Sequence, residues 1–242
     1  MKEGSFKVSS DGVFYSLQGE GVTMGEPACF LRLHFCNLRC RYCDTSYTID
    51  TQRDDFWEGL KDWTVDETRT QLEGVWGCKD KDKRKRAVVT GGEPLLQKEL
   101  LTELILAMPD WNFEIETNGT IMPTKEILEI SKQGRVQFNC SPKLDNSGNG
   151  KEKRIVSEVI KALTEVKSSF KFVVTSEGDL DEIEQDFVSL GIPKERIILM
   201  PEGTDTLTLK ENALRVVEKA KEKGYRLLGR LQVDLWGHAR KT

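Results

Sequence analysis

The chain has 242 residues, of which 38% are hydrophobic and 31% are charged. This balance is typical of a folded globular protein and excludes a disordered chain, a collagen-like chain and a small disulfide-held scaffold. Thirty-six basic and forty acidic residues give a net charge of -4, so nucleic acid is not expected as the primary partner. No run approaches the roughly 18 apolar residues of a membrane helix, and the first residues lack the apolar core of a secretory signal. We therefore expect a cytoplasmic protein without membrane contact.

Apolar runs of strand length alternate with helical patterns along the chain, which is typical of βα units around a mainly parallel sheet. Six strands are predicted and a seventh is indicated, at residues 28–35, 87–90, 112–117, 136–140, 170–175, 196–200 and 226–233. Apolar residues at helical spacing predict helices at 97–107, 125–132, 155–167, 180–190 and 209–223. No repeat or linker divides the chain, so we expect an α/β fold with one domain over residues 1–242.

Local signals mark several boundaries of these elements. Thr64 and Glu67 have the spacing of a capping box, which predicts the start of a further helix. Gly134, Gly191 and Gly224 stand where helices are expected to end in a left-handed residue.

Residues 51–86 are a long connection for one βα unit, and they end in an alternating run of lysine, arginine and aspartate. Blocks of charge are usually exposed, which predicts a charged excursion at the periphery of the domain. The alternative is a local contact with nucleic acid or with a partner protein.

Three of the six cysteines lie within eight residues, directly after the first predicted strand. Such tight groups in intracellular proteins are more often metal or catalytic sites than disulfides. One interpretation of Cys36, Cys40 and Cys43 is structural zinc, which needs a fourth ligand. The candidates for that ligand are His34, Cys78 and Cys140. The other interpretation is an iron-sulfur cubane with three irons bound by the loop and the fourth left open, and the close spacing favours it.

A glycine pair follows the strand predicted at 87–90, in the sequence Gly91-Gly92-Glu93-Pro94. Two glycines allow the backbone to approach a ligand closely, and Glu93 is a candidate acceptor for an ammonium group. Glycine pairs are also common in ordinary turns, so it is the upstream cysteines that favour a ligand site.

Together these motifs resemble the radical S-adenosylmethionine (SAM) superfamily. The C-x3-C-x2-C spacing, with the aromatic Tyr42 before the last cysteine, is similar to the superfamily's cluster motif. The Gly91-Gly92 turn is similar to the one that holds the amino group of the cofactor. The resemblance implies a partial (β/α) barrel of about six parallel strands with the site at their carboxyl ends, and a 4Fe-4S cluster on Cys36, Cys40 and Cys43.

Further segments resemble the 7-carboxy-7-deazaguanine synthase family. They are residues 17–21, Arg32, Cys43-Asp44-Thr45 and Ser141-Pro142-Lys143. This resemblance implies conversion of 6-carboxy-5,6,7,8-tetrahydropterin to 7-carboxy-7-deazaguanine with loss of ammonia, in queuosine or archaeosine biosynthesis. The implied chemistry is reductive cleavage of SAM to a 5'-deoxyadenosyl radical, which removes the hydrogen at C6 of the pterin. SAM is then regenerated, and magnesium is a further cofactor.

The resemblance also implies which residues contact each ligand. The pterin is expected to contact Leu17, Gln18, Gly19, Glu20, Arg32, Thr90, His238 and Thr242. SAM is expected to contact Tyr42, Cys43, Asp44, Gly91, Gly92, Glu93, Glu116, Ser141, Pro142, Lys143, Met200, Pro201, Glu202 and Gly203. Magnesium is expected at the Thr45 hydroxyl, since it prefers hard oxygen ligands.

Arg32 is also informative without the resemblance. Strand alternation places it on one face with Ala28, Phe30 and His34. A guanidinium there is costly to bury unless it is paired, and a substrate carboxylate suits its bidentate geometry. The alternative partner is an acidic side chain of the protein itself.

The carboxyl terminus departs from the family pattern, since Lys241 stands where a glycine is often found. In the family the terminal carboxylate enters the site, and a strand predicted at 231–237 would anchor the tail there. The alternative is a disordered and dispensable tail.

Two other functions are consistent with the motifs. One is a radical SAM activase with a protein substrate, as in glycyl-radical activating enzymes, and the other is a zinc or iron-sulfur scaffold without enzymatic activity. The scaffold leaves the turn at 91–94 unexplained. For the enzyme we expect an electron donor such as flavodoxin or ferredoxin, and a homodimeric state.

Overall fold

The computed structural model describes residues 4–237 and residue 239. The strands are β1 Phe6–Leu17, β2 Pro27–Leu33, β3 Lys61–Trp63, β4 Lys85–Gly91, β5 Trp111–Thr117, β6 Val136–Cys140, β7 Ser168–Val174, β8 Ile197–Pro201 and β9 Arg226–Leu227. The helices are α1 Asp54–Glu58, α2 Val65–Val75, α3 Lys98–Ala107, α4 Lys125–Lys132, α5 Lys151–Arg154, α6 Ser157–Thr164, α7 Glu177–Asp186, α8 Thr206–Lys223 and α9 Leu231–Trp236. None of the helices in this part of the chain has the length and apolar character needed to span a bilayer.

All nine strands form one open sheet in the order β3-β1-β2-β4-β5-β6-β7-β8-β9. From β2 to β9 the neighbouring strands are parallel, whereas β1 pairs antiparallel with both β2 and β3. The predicted α/β class and partial barrel are confirmed, and each of the seven predicted strands has a counterpart. The predicted helix ends at Gly134, Gly191 and Gly224 are also confirmed, because all three glycines have positive φ.

Strand β1 was not predicted, and its internal turn signal explains why. The segment contains Ser9-Ser10-Asp11-Gly12, a composition that normally marks a turn. The structure passes through it as an irregularity, since the pairing with β2 shifts between Val8 and Val13, and Gly12 has φ of 63°. A β-bulge of this kind needs the positive φ that glycine tolerates.

Residues 51–86 are peripheral but more ordered than the expected charged excursion. They contain α1, β3 and α2, and the side chains of Phe56 and Leu72 are fully buried. The predicted capping box opens α2, because Thr64 Oγ1 accepts from Glu67 N at 3.1 Å and the Glu67 carboxylate accepts from Thr64 N at 2.6 Å. Only the first part of the charged run behaves as expected, with residues 79–82 exposed, whereas Arg86 pairs with the buried Glu114.

Three strand predictions are wrong in part or in full. The first predicted strand extends to Phe35, but β2 ends at Leu33, and Phe35 has φ of 72°, which turns the chain away from the sheet. The strand predicted at 226–233 is too long, because β9 has only two residues. The strand predicted at 231–237 is wrong, because residues 231–236 form the helix α9. A short apolar run is ambiguous between strand and helix by periodicity alone.

The two faces of the sheet differ in character. The outer face is apolar, with side chains such as Leu31, Val89 and Phe170 packed in the core beneath the helices. The inner face carries the polar side chains described below. The sheet curves strongly enough for the segment after β9 to reach the segment after β1, where Leu231 N donates to Gly19 O at 3.0 Å.

Candidate active site

A cavity of about 430 Å³ lies on the inner face of the sheet, at the carboxyl ends of the parallel strands. Its size is within the range of roughly 300 to 1,000 Å³ typical of small-molecule sites. Its wall contains twenty-one predicted site residues: Leu17, Gln18, Gly19, Glu20, Arg32, Cys36, Cys40, Tyr42, Cys43, Asp44, Thr45, Thr90, Gly91, Gly92, Glu116, Ser141, Lys143, Met200, Pro201, Glu202 and Gly203. Glu93 and Pro142 are not among its lining residues. The predictions for His238 and Thr242 lie outside the described residues.

The loop that carries the three cysteines is held by backbone contacts at both ends. Gly92 N donates to Leu33 O at 3.1 Å, and Glu93 N donates to Phe35 O at 2.8 Å, so the end of β4 supports the start of the loop. Further along, Arg41 N donates to Ser147 O at 2.9 Å. The cysteine loop therefore has a defined position relative to the glycine pair.

Hydrogen-bond donors surround the cysteine thiols. Cys36 Sγ accepts from Leu38 N at 3.5 Å and lies 3.8 Å from Asn118 Nδ2, while Cys40 Sγ accepts from Asn149 Nδ2 at 3.3 Å. Burial raises the pKa of Cys36 to about 11 and also raises that of Cys40, but a metal-bound thiol is deprotonated outright. Donors of this kind stabilise cluster sulfurs and tune their potential. The donor set therefore fits an iron-sulfur cluster.

The additional zinc ligands considered from the sequence do not lie at the cysteine loop. His34 is fully buried with its ring stacked on Phe56 at 4.7 Å, and its Nε2 lies 3.1 Å from Phe56 O. Cys140 is buried, and Cys78 lies beside Tyr15. Within residues 4–237 and 239, no three His, Cys, Asp or Glu side chains are grouped as ligands of a single ion. A cubane does not require such a group, because each thiolate binds a different iron.

Glu93, the candidate acceptor for an ammonium group, has three hydrogen-bond donors within the protein. Its fully buried carboxylate accepts from Leu95 N at 3.0 Å, Thr117 Oγ1 at 2.9 Å and Asn118 N at 2.7 Å. Burial raises the pKa of Glu93, and these three donors oppose that shift. The side chain thus connects the glycine turn to the end of β5.

Arg32 has the protein partner that was considered as the alternative to a substrate carboxylate. Its Nε lies 3.0 Å from Asp11 Oδ2, and the Tyr47 hydroxyl donates to the same oxygen at 2.5 Å. The guanidinium also lies 6.0 Å from the centre of the Phe14 ring. All four side chains line the cavity, so the ion pair orients Arg32 without removing it from the site. Sequence reasoning missed Asp11 because it missed β1.

A buried lysine joins two carboxylates in the cavity wall. Lys171 Nζ contacts Glu20 and lies 3.1 Å from Glu116 Oε2. Burial opposes ionisation of Glu20, but Lys171 and Arg230 outweigh it and hold the pKa of Glu20 well below its usual range. Burial raises the pKa of Glu116 despite Lys171. Glu20 is thus a permanent acceptor. Lys171 was missed, although a lysine between two phenylalanines in a predicted strand is a signal of a paired inner-face cation.

Two amides hold the carboxylates on β5 together. Gln18 Nε2 lies 3.2 Å from Glu114 Oε2 and 3.1 Å from Glu116 Oε1. Asn139 Nδ2 donates to the same two carboxylates at 3.0 Å each. Glu114 is fully buried and is neutralised by Arg86. This network fixes the side chain of Gln18, one of the residues expected to contact the pterin.

Comparison with known proteins agrees with this geometry. The family model described as "Radical SAM superfamily" matches residues 31–231. The chain is 36% identical to 7-carboxy-7-deazaguanine synthase of Pyrobaculum aerophilum over 238 residues, with 94% of each chain covered. It is 33% identical to the enzyme of that name from Halobacterium salinarum, over 95% of this chain and 91% of the relative.

A solved structure shows the same fold. The crystal structure of QueE from Escherichia coli matches with a TM-score of 0.66 and 24% identity, over 94% of each chain. The family match implies the cluster and SAM as cofactors, and Cys36, Cys40 and Cys43 are the thiols of the cavity wall that could hold the cluster. From its sequence and its fold, the chain belongs to the radical SAM superfamily and, within it, to the 7-carboxy-7-deazaguanine synthase family.

Proposed function

We propose that this chain converts 6-carboxy-5,6,7,8-tetrahydropterin to 7-carboxy-7-deazaguanine with loss of ammonia. The observation that carries the proposal is that the three cluster cysteines, the segment 17–20 and Arg32 line one cavity. When bound, the cluster and SAM supply the 5'-deoxyadenosyl radical that takes the hydrogen from C6 of the pterin. Activation of a protein substrate and a scaffold role are not favoured, since relatives matching nearly the whole chain are named as the synthase.

The pterin would be held by charge on one side and by fixed acceptors on the other. Arg32 is oriented by its ion pair with Asp11 and binds the substrate carboxylate through its guanidinium N–H groups. Glu20, kept ionised by its cationic neighbours, accepts hydrogen bonds from the N–H groups of the pterin ring. Gln18 is oriented by Glu114 and Glu116 and contributes further contacts.

SAM would be bound along the ends of the parallel strands. The backbone of Gly91 and Gly92 approaches it, because neither residue has a side chain that would occupy this edge. Lys143 Nζ, hydrogen-bonded to Ser141 Oγ at 2.9 Å, provides a positive charge for the cofactor's carboxylate. The turn at 200–203 lines the same cavity and completes the contacts.

Magnesium would bind at the Thr45 hydroxyl together with oxygens of the substrate. Thr45 Oγ1 lies 3.7 Å from Cys43 Sγ, in the cavity wall. Magnesium commonly uses few protein ligands and completes its shell with water or substrate oxygens. The ion would then orient the substrate next to the cysteine loop.

Anaerobic turnover tests the proposal directly. The reconstituted protein is incubated with SAM, a chemical reductant and 6-carboxy-5,6,7,8-tetrahydropterin, and the products are identified by mass spectrometry. We expect 7-carboxy-7-deazaguanine, ammonia and sub-stoichiometric 5'-deoxyadenosine, because SAM is regenerated. A tetrahydropterin without the carboxylate is the matched control and should not react, since Arg32 would lack its partner. Cluster-loaded protein that cleaves SAM but leaves the carboxypterin unchanged would contradict the proposal.

The setting of the reaction follows from the same chemistry. We propose a single domain, supported by one continuous sheet over residues 6–227, and a cytoplasmic location, where thiols stay reduced. We propose flavodoxin or ferredoxin as the electron donor. We also propose a homodimer. Two exposed leucines on α8 support it, Leu207 at 74% and Leu214 at 65% exposure. Sedimentation analysis measures the oligomeric state.

A further inference from the structure

The guanidinium of Arg230 contacts three separate segments of the cavity wall. Its Nε donates to Glu20 Oε1 at 2.8 Å, its Nη1 to Gly203 O at 2.8 Å and its Nη2 to Asp44 Oδ2 at 2.5 Å. The side chain of Arg230 is 13% exposed, so these contacts are largely shielded from water. Each of the three nitrogens of this rigid, planar group therefore donates a hydrogen bond.

The three segments serve different ligands in the proposed function. Glu20 belongs to the segment that would hold the pterin, and Gly203 ends the turn that would hold SAM. Asp44 follows the last cluster cysteine in the loop. Arg230 is thus a single group through which a displacement on the pterin side would be transmitted to the SAM side and to the cysteine loop.

Backbone packing holds Arg230 in this position. Leu231 N donates to Gly19 O at 3.0 Å, and Gln232 Nε2 donates to Glu20 Oε1 at 2.7 Å. A Cβ on Gly19 would lie 1.8 Å from Gln232 Oε1 and 3.1 Å from Gln232 N, so the two segments approach as closely as glycine permits. The start of α9 is therefore docked on the pterin segment.

The contacts of the three acceptors are unequal. Glu20 is also held by Lys171 and Gln232, so it keeps partners when Arg230 is replaced. Within the described part of the chain, the polar partner of the Asp44 side chain and of the Gly203 carbonyl is Arg230. Loss of the guanidinium would thus leave the pterin segment in place and disconnect it from the other two.

We infer that Arg230 is a positioning residue that couples the binding of pterin and SAM. The inference rests on the proposed function, since it takes the two ligands from there. Its direct consequence is that each ligand increases the affinity for the other, by a factor within the roughly 5 to 150 typical of coupled sites.

The test measures SAM affinity with and without 6-carboxy-5,6,7,8-tetrahydropterin, in anaerobic holoenzyme without reductant so that no turnover occurs. The measured quantity is the ratio of the Kd for SAM without the pterin to the Kd with it. In the wild type we expect this ratio to be at least about fivefold. Arg230→Gln should reduce this ratio to below about twofold. Arg230→Lys should do the same, because lysine keeps the charge but not the planar fork. Iron content should stay at the wild-type value.

A matched control and a second variant keep the test decisive. Arg226 is exposed on β9, and Arg226→Gln should keep the wild-type ratio. Asp44→Asn removes the charged partner of Arg230 in the cysteine loop and should also reduce the ratio. This variant provides the test if the Arg230 variants do not fold. A merely structural role would weaken each ligand alone without changing the ratio, and an unchanged ratio in a folded variant overturns the inference. If the wild-type protein turned over the pterin but had a ratio of one, the inference would be overturned and the proposed function would stand. If the protein did not bind the pterin, the proposed function itself would be contradicted.

Discussion

Gly92 lies where the end of β4 meets the cysteine loop, and replacing it with alanine tests how the loop is positioned. A Cβ at this residue would lie 1.9 Å from Phe35 O, 2.4 Å from Phe35 C and 3.1 Å from Cys36 N. Real Cβ contacts essentially never fall below 3.0 Å, so the loop and the strand must separate by about 1.1 Å. The obstructing atoms are backbone, and no side-chain rotation relieves the contact.

The cost can be worked out from the contacts that would be lost. Two backbone hydrogen bonds join the segments, from Gly92 N to Leu33 O and from Glu93 N to Phe35 O. Each contributes about 1 kcal/mol, and overpacking a rigid contact costs about 1 to 3 kcal/mol. The free energy of unfolding should therefore fall by roughly 3 to 5 kcal/mol, which lowers Tm by roughly 6 to 20 °C for a chain of this size. Because the displaced segment carries Cys36, iron content should fall with it.

The assay is thermal unfolding of anaerobically reconstituted protein, with iron and sulfide measured on the same sample. Gly74→Ala is the matched control, because Gly74 is exposed in α2 and nothing lies within 4 Å of its added Cβ. Alanine there should stabilise the protein by roughly 0.5 to 1 kcal/mol through helix propensity. If Gly92→Ala kept the wild-type Tm and iron content, the close approach of strand and loop would be refuted.

Three further substitutions test other parts of the site. Cys40→Ala should lose the cluster and turnover together, whereas Cys78→Ala should keep both, and full iron content in the first variant would contradict the ligand assignment. Asp11→Asn should raise the KM for the carboxypterin several-fold, because Arg32 loses the charged partner of its ion pair, which orients the guanidinium; unchanged KM would show that the ion pair does not position Arg32. Thr45→Ala should reduce stimulation by magnesium while sparing the cluster, and Thr45→Ser should restore it; equal magnesium dependence in all three proteins would place the ion elsewhere.

Local sequence pattern was sufficient for most of the parallel framework. Buried strands appear as short apolar runs and amphipathic helices as a 3.6-residue period, so β4 to β8 and the helices α3, α4, α6 and α7 were predicted within a few residues. The four-residue helix α5 was not predicted. The proposed cluster ligands could also be named from the sequence, because Cys36, Cys40 and Cys43 lie on one loop and their spacing is a property of the chain alone. The two antiparallel strands were missed, since a bulge in β1 resembles a turn and β3 has only three residues.

The electrostatics of the cavity were decided by tertiary structure. Asp11 reaches Arg32 across two strands, Lys171 reaches Glu20 over 151 positions, and Arg230 reaches the same carboxylate over 210 positions. The partners in these contacts leave no periodic or motif signal. The two contacts of Glu20 depend on the curvature of the sheet, whereas the contact of Asp11 with Arg32 depends on the pairing of β1 with β2. The sequence by itself thus determined the cofactor chemistry, which needs ligands close together on one loop. Only the tertiary structure decided which charged side chains line the cavity. An unpaired buried charge is costly, so the buried charges there are paired with side chains from distant segments of the chain.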